Sequence, residues 1–193
     1  MGEVRPISGL PRGTPLLLHS CCGPCSTAVI ERLGQDFALT VYFYNPNIDD
    51  RAEYEKRLGA QEQTIAQSVT AYPIAFVQGP YDVERFLALA QGKEAAPEGG
   101  ARCGLCFDLR LQSSAQLAKK LEIAHFTTTL TVSPHKNASL LHEKGQSAAM
   151  AYGVTYLAMD FKENGGYQRS VFLSKQMDLY RQNFCACSFS KRK

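Results

Sequence analysis

The sequence predicts an α/β fold: a single-domain, three-layer sandwich around a mainly parallel sheet. Two observations carry this. Short continuous apolar runs alternate with longer segments of helical periodicity along the whole chain, the pattern of a sheet covered on both faces. With 193 residues and no internal repeat or compositional break, the chain has the size of one domain with a full core.

The first run, Leu16-Leu17-Leu18, reads as a strand and leads into His19-Ser20-Cys21-Cys22-Gly23-Pro24-Cys25, a turn that opens a helix through Ala28, Val29, Ile30 and Leu33. Residues 39–44 form a second buried strand, stopped by Asn45-Pro46-Asn47. Residues 51–68 carry Tyr54, Leu58 and Ile65 at helical spacing, with Asp49 or Asp50 as the cap. A third strand at 74–77 ends at Gly79-Pro80, and residues 81–91 form a short helix. The loop at 92–100 delivers Arg102 and Cys103 to a helix running to about Lys120. A strand at 126–130, broken by Ser133-Pro134, a helix at 137–152 and a strand at 154–159 follow. After the Gly165-Gly166 turn, a last helix is expected over 170–180, then a tail bearing Cys185 and Cys187. One domain over residues 1–193 is expected, with flexible tails at 1–14 and 191–193.

Composition excludes some classes. Apolar content of 45% and charged content of 20% are those of an ordinary soluble protein, and no apolar run approaches a membrane span. No secretory signal is visible at the start, so a cytoplasmic location is expected. The net charge of +3 resides in Lys191-Arg192-Lys193, and the remaining 18 basic side chains balance 18 acidic ones. Charge therefore neither demands nor excludes a nucleic acid.

Cysteine is the outlier. Seven occur, in three tight groups: Cys21, Cys22 and Cys25, then Cys103 and Cys106, then Cys185 and Cys187. An odd number in a reducing compartment argues against a disulfide framework. Buried thiols acting as small hydrophobes suit scattered residues, not clusters. Close spacing suits metal ligation, because neighbouring ligands converge on one ion. Sulfur-only ligation points to zinc or to an iron–sulfur cluster. Four cysteines would satisfy one centre and leave three for a second metal; spacing does not separate these options. Thiols after a strand and at a helix N-terminus feel the positive end of the helix dipole, which favours thiolate. Cys103 and Cys106, on a first helical turn, face the same way.

Cys22-Gly23-Pro24-Cys25 also matches a thioredoxin redox motif, which suggests a thiol–disulfide exchanger acting through Cys22 and Cys25. The Trp that usually precedes that motif is missing, and four downstream cysteines are left unexplained. A zinc-stabilised binding module without chemistry is a further reading. An ATP-using enzyme would need a glycine-rich phosphate loop where the cysteines stand.

Taken together, several stretches in fixed order resemble the cobalamin-independent epoxyqueuosine reductases, the QueH family. They are His19-x-Cys21-Cys22-x-Pro24-Cys25, Tyr42 to Asn47 with Glu53, Tyr54 and Arg57, and Arg102-Cys103-x-x-Cys106 with Arg110. Phe126 to Leu130, Ser133-Pro134-x-Lys136, Asp160-Phe161-Lys162, Ser174-Lys175 and Tyr180 to Ser190 complete the set. The resemblance implies a fold similar to adenine nucleotide alpha hydrolases. It also implies reduction of the epoxide of epoxyqueuosine, at the first anticodon position of tRNA, to the alkene of queuosine. It implies a 4Fe–4S cluster and a second metal ion, expected to be iron, with electrons from a donor the sequence does not name. On the same resemblance the alternative zinc-stabilised module would bind tRNA, and the ATP-using alternative would be a tRNA-modifying enzyme.

On this resemblance all seven cysteines are expected metal ligands. Cys103, Cys106 and Cys185 or Cys187 would hold the cluster with one cysteine of the first group, and the rest of that group would face the second metal. Some family members carry a carboxylate at position 25, which would make it a ligand position tolerating oxygen or sulfur. Cys22, Cys25, Asp108 and His19 are the expected catalytic groups. Each of the last two has a plainer competitor: a solvated carboxylate for Asp108, a core histidine for His19. Asn45, Asn47, Thr128, Thr129, Lys136 and Arg181 are expected to contact the substrate. Ser133, Arg169 and Lys175 are further phosphate candidates, and Tyr42, Tyr44 and Tyr167 candidates for stacking on the base.

Overall fold

The computed structural model describes residues 9–190. The tails expected at 1–14 and 191–193 fall largely outside these residues. The chain runs β1 (Thr14–Ser20), α1 (Gly23–Leu33), β2 (Phe37–Phe43), α2 (Arg51–Gln67), β3 (Ala75–Gln78) and α3 (Val83–Ala90). It continues through α4 (Ala101–Lys120), β4 (His125–Thr128), α5 (Ala138–Tyr152), β5 (Thr155–Tyr156) and α6 (Gly166–Gln176), with short 3-10 turns at Thr129–Val132, Glu163–Gly165 and Ser188–Ser190. All the strand pairs are parallel, in the order β3-β2-β1-β4-β5, as the alternating pattern predicts.

The central strand β1 is hydrophobic on both faces because both are covered. Leu16 and Leu18 pack with Val29, Ile30 and Leu33 of α1, whereas Leu17 points into the cluster built by α4 and α5. Helices α1, α2 and α6 form one outer layer, and α3, α4 and α5 the other. This is the three-layer sandwich. The order of the strands reverses at β1, whose neighbours are β2 on one side and β4 on the other. A crevice outside the carboxyl ends of β1 and β4 is the consequence, and in such sheets that crevice binds ligands.

The helix boundaries follow their caps. Asp50, not Asp49, caps α2 by accepting the Glu53 N–H, and Asn137 caps α5 by accepting the Leu140 N–H. Helix α5 ends on Gly153 in the left-handed region (φ 67°). Three elements depart from the sequence pattern. The last helix starts four residues early, after Gly165 turns the chain (φ 74°), and stops at Gln176. Residues 177–180 leave it because Gln63 donates to the Met177 carbonyl and Glu53 accepts from Tyr180 Oη. The strand expected over 154–159 narrows to two residues. Thr127 and Thr131 hydroxyls take over from the ladder there, donating to the carbonyls of Leu157 and Met159. The strand expected to reach Leu130 stops at Thr128, whose own hydroxyl accepts the Leu130 N–H and winds the next turn.

Candidate metal centre and active site

The cysteine turn sits where β1 gives way to α1. Cys22 is the N-cap of α1, in extended conformation, and Pro24 occupies the first turn, where its missing N–H costs no helical bond. A buried polar set holds the turn from below. Ser20 Oγ meets Ser26 Oγ at 2.6 Å, and both hydroxyls lie within hydrogen-bond distance of Gln61 Oε1 of α2, with Ser26 Oγ also 3.0 Å from the Cys22 carbonyl oxygen. Gly23 is required here: a Cβ at this position would stand 2.2 Å from the Ala60 carbonyl oxygen.

The three sulfurs of Cys21, Cys22 and Cys25 lie within 4.8 Å of one another, the only such group of metal-ligating side chains among the described residues. Cys21 and Cys22 Sγ are 3.7 Å apart. Sulfurs on one tetrahedral ion with bonds of about 2.3 Å are separated by about 3.8 Å. The donor set therefore suits a single thiophilic ion, with the Cys21–Cys22 pair already at that spacing.

Charge within the triad is unequal. Hydrogen bonds from Cys22 and Cys25 hold the Cys21 thiol well below its ordinary range, against the opposing effect of burial. The same bonds push Cys22 up to about 11 and Cys25 upward, so these two keep their protons. Thr129, just past β4, clasps Cys21 from across the crevice: the Cys21 N–H donates to Thr129 Oγ1 (3.3 Å), and that hydroxyl donates to Cys21 Sγ (3.6 Å). Gln182 Nε2 donates to Cys22 Sγ at 2.9 Å. Cys22 is fully buried with a raised pKa, the opposite of the exposed, acidic attacking thiol that a disulfide exchanger needs. The exchanger reading is not favoured.

The remaining cysteines converge on the same region. Cys103, Cys106 and Cys187 share one buried cluster, against which Cys21 packs. Cys185 joins Cys21 and Cys25 in the wall of a cavity of about 1130 Å³. It also lines, with Cys103, a small adjoining cavity. Lys136 faces the sulfurs of Cys185, Cys21 and Cys25. Burial disfavours its charge, but the sulfurs outweigh burial and raise its pKa overall. Burial pushes the Cys106 thiol up to about 12. The Gly99 N–H donates to Cys103 Sγ (3.2 Å) from the end of the 92–100 loop. Buried Arg102 orders that loop through the carbonyls of Lys93, Glu94 and Ala96.

The other expected site residues divide into two groups. Asn45, Asn47, Lys136 and Arg181 line the large cavity, as do Ser133 and Tyr167. Asn47 is buried there, with no hydrogen-bond partner for its Oδ1. Thr128 and Thr129 instead lie wholly buried beneath it. His19 is also fully buried: Nδ1 pairs with Thr128 Oγ1 (2.8 Å) and Nε2 with the Tyr44 carbonyl (3.2 Å). Because that carbonyl can only accept, the proton sits on Nε2 and Nδ1 takes the Thr128 hydroxyl hydrogen. Desolvation, with help from Arg110, lowers the His19 pKa to about 3, so the ring is neutral and braces β1 against β4. Asp108 is partly exposed on α4 and does not line the cavity. Tyr42 and Tyr44 are buried and stacked on each other, and Arg169 is held by Glu31 in a two-pronged ion pair.

Arg110 carries more weight in the structure than its sequence position suggests. Its buried guanidinium donates to Asn45 Oδ1, while Asn45 Nδ2 donates to the Ser20 carbonyl (3.0 Å). It faces Cys21 and Cys106 as a cation, and its Nε has no partner. A signal existed: Cys103, Cys106 and Arg110 recur at helical spacing on one face of α4. Gln182 lies within the 180–190 stretch of the resemblance, but irregular chain gives it no periodicity from which a contact with Cys22 could be read.

Thr129→Val tests the clasp on Cys21. It removes both bonds to that residue while keeping the shape, and metal affinity is expected to fall about 10–100-fold. Chelator competition on anaerobically reconstituted protein measures it; affinity equal to the parent's contradicts the assignment.

Comparison with known proteins agrees with this arrangement. The family profile described as epoxyqueuosine reductase QueH matches residues 16–193. Three proteins named epoxyqueuosine reductase QueH illustrate the similarity. That of Streptococcus pyogenes serotype M1 is 38% identical over 179 residues, covering 92% of this chain and 70% of its own length. That of Histophilus somni is 39% identical over 194 residues (98% and 77%). The Thermotoga maritima protein is 34% identical over 180 residues (91% and 89%). With cysteines gathered at the crevice of a parallel sheet and a match from β1 to the last residue, this chain belongs to the QueH family of epoxyqueuosine reductases.

Proposed function

We propose that this chain reduces the epoxide of epoxyqueuosine in the tRNA anticodon to the alkene of queuosine, using a cysteine-held 4Fe–4S cluster and a second metal ion, iron. The reaction breaks both carbon–oxygen bonds of the epoxide, forms the alkene and releases water, consuming two electrons and two protons. The observation that carries the reading is the Cys21, Cys22 and Cys25 triad, two of whose members, Cys21 and Cys25, line one cavity together with Cys185. When bound, the metal groups supply single electrons and Lewis acidity toward the departing oxygen.

The protein's part is to seat the nucleoside and exclude water. The cavity volume suits a nucleoside taken out of its loop, as enzymes acting on a base require. Asn47 Oδ1 offers an acceptor to it from the wall. Lys136 and Arg181 place positive charge on the cavity lining for the backbone phosphates, and Tyr167, under Arg181, offers a face for stacking. His19, Thr128 and Thr129 act beneath the cavity, by holding Cys21 in place. Asp108 has no part in this reading. No described helix is long and apolar enough to cross a membrane, and a tRNA substrate accords with a cytoplasmic enzyme.

The test uses the full chain purified without oxygen, chemically reduced and mixed with tRNA carrying epoxyqueuosine. Mass spectrometry of the nucleosides is expected to show loss of one oxygen atom, with iron bound to the protein. Colourless protein holding zinc and leaving the nucleoside unchanged would establish the binding module instead.

A further inference from the structure

Beyond α6 the chain forms no regular element until Ser188, yet it must place Cys185 and Cys187 within the site. Its course is set by side chains of α2 and the loop before it. Gln63 Nε2 donates to the Met177 carbonyl (2.7 Å). Tyr180 Oη donates to Glu53 Oε2 (2.6 Å). Arg57 Nη2 donates to the Phe184 carbonyl (3.3 Å), and its guanidinium lies over the Phe184 ring at 5.3 Å. Asp49 Oδ2 then accepts the Ser188 N–H (2.8 Å), closing the far side of the cysteine pair.

Glu53 and Arg57 are the unusual members. They stand one helical turn apart, 7% and 5% exposed, and Arg57 Nε donates to Glu53 Oε1 at 2.6 Å. A buried ion pair is a poor way to gain stability, because desolvating both charges offsets most of their attraction. Such a pair is well suited to register. Its unused donor and acceptor are satisfied only when Tyr180 and Phe184 arrive together, and a one-residue slip would leave a buried charge short of a partner.

We infer that Glu53 and Arg57 are positioning residues that fix the cysteine-bearing C-terminal strap in register, so that Cys185 and Cys187 complete the metal centre. The metal part of this inference rests on the reading above; the strap's register does not.

The test separates the two. In metal-free full-length protein kept reduced, each cysteine's alkylation rate is followed by mass spectrometry for the parent, Glu53→Gln, Arg57→Gln and Tyr180→Phe. The charge variants are expected to speed labelling of Cys185 and Cys187 at least about tenfold, as the strap opens locally, with Cys103 and Cys106 unchanged. Tyr180→Phe, which keeps the ring and loses one bond, gives a smaller rise at the same two cysteines and remains available should a charge variant fail to fold. Uniform acceleration at all four, or no acceleration, overturns the inference, since a merely stabilising pair would loosen the whole fold. After anaerobic reconstitution, the charge variants are expected to retain less iron than the parent. Parent-level iron beside selective labelling would overturn the strap's role at the metal while leaving its register intact. Absence of iron from the parent itself would count against the proposed function, not against the strap.

Discussion

Cys21→Ser is expected to strip the metal held at the triad, with affinity there lower by at least about 100-fold, and epoxide reduction should vanish with it. The physical reason is that Cys21 is where every influence on the triad converges. The Cys22 and Cys25 thiols and the Thr129 hydroxyl donate to it, and Arg110 and Lys136 face it as cations. A serine hydroxyl in the same place keeps its proton and offers no soft donor, so a thiophilic ion would be left with two sulfurs and a poor third ligand. Iron analysis per chain after anaerobic reconstitution, compared with the parent, measures the outcome. Parent-like iron content in this variant would place the metal elsewhere in the molecule and detach the triad from the chemistry.

Gly23→Ala should be strongly destabilising, because the added methyl group meets the backbone of a neighbouring helix. The added carbon would lie 2.2 Å from the Ala60 carbonyl oxygen, 2.5 Å from its carbon and 2.7 Å from Thr64 Oγ1. Two of these are backbone atoms in the middle of α2, so relief requires α1 and α2 to separate and carry the cysteine turn away. Overpacking of this kind is expected to cost about 3 kcal/mol. For a chain of this size that lowers the melting temperature by roughly 6–12 °C. Gly59→Ala provides the contrast on the same helix: nothing lies within 4 Å of where its methyl carbon would stand, and a helix-interior alanine is better by about 0.5–1 kcal/mol. Thermal denaturation of the two variants should therefore move in opposite directions. A loss at Gly23 no larger than a few tenths of a kcal/mol would show that the helix contact is loose.

Much of the architecture was legible in the chain because its cause is local. Leu16 to Leu18 and Leu39 to Phe43 are apolar runs too short for helices, and the alternation around them permits little other than a covered parallel sheet. Helix α5 could be bounded almost to the residue, since Asn137 and Gly153 are capping residues acting within their own turn. The C-terminal region resisted because nothing local ends α6 where it ends. Gln63, Glu53 and Arg57, more than a hundred residues earlier in the chain, draw residues 177–184 off the helix. Thr127 to Thr129 illustrate the same point within the site. A row of hydroxyls at a strand end suggests a surface that meets ligand, yet each is buried and bonded within the fold.

By itself the sequence determined the sheet, the cysteine turn at the end of its first strand, and the sulfur-rich chemistry, because residue type and short spacing settle such matters. Only the tertiary structure decided which groups face one another. It set the Cys21 thiol lowest in pKa of the triad, His19 as a neutral brace and Arg110 as the cation between two cysteine groups, since proton positions and charge follow from burial and from neighbours far away in the chain.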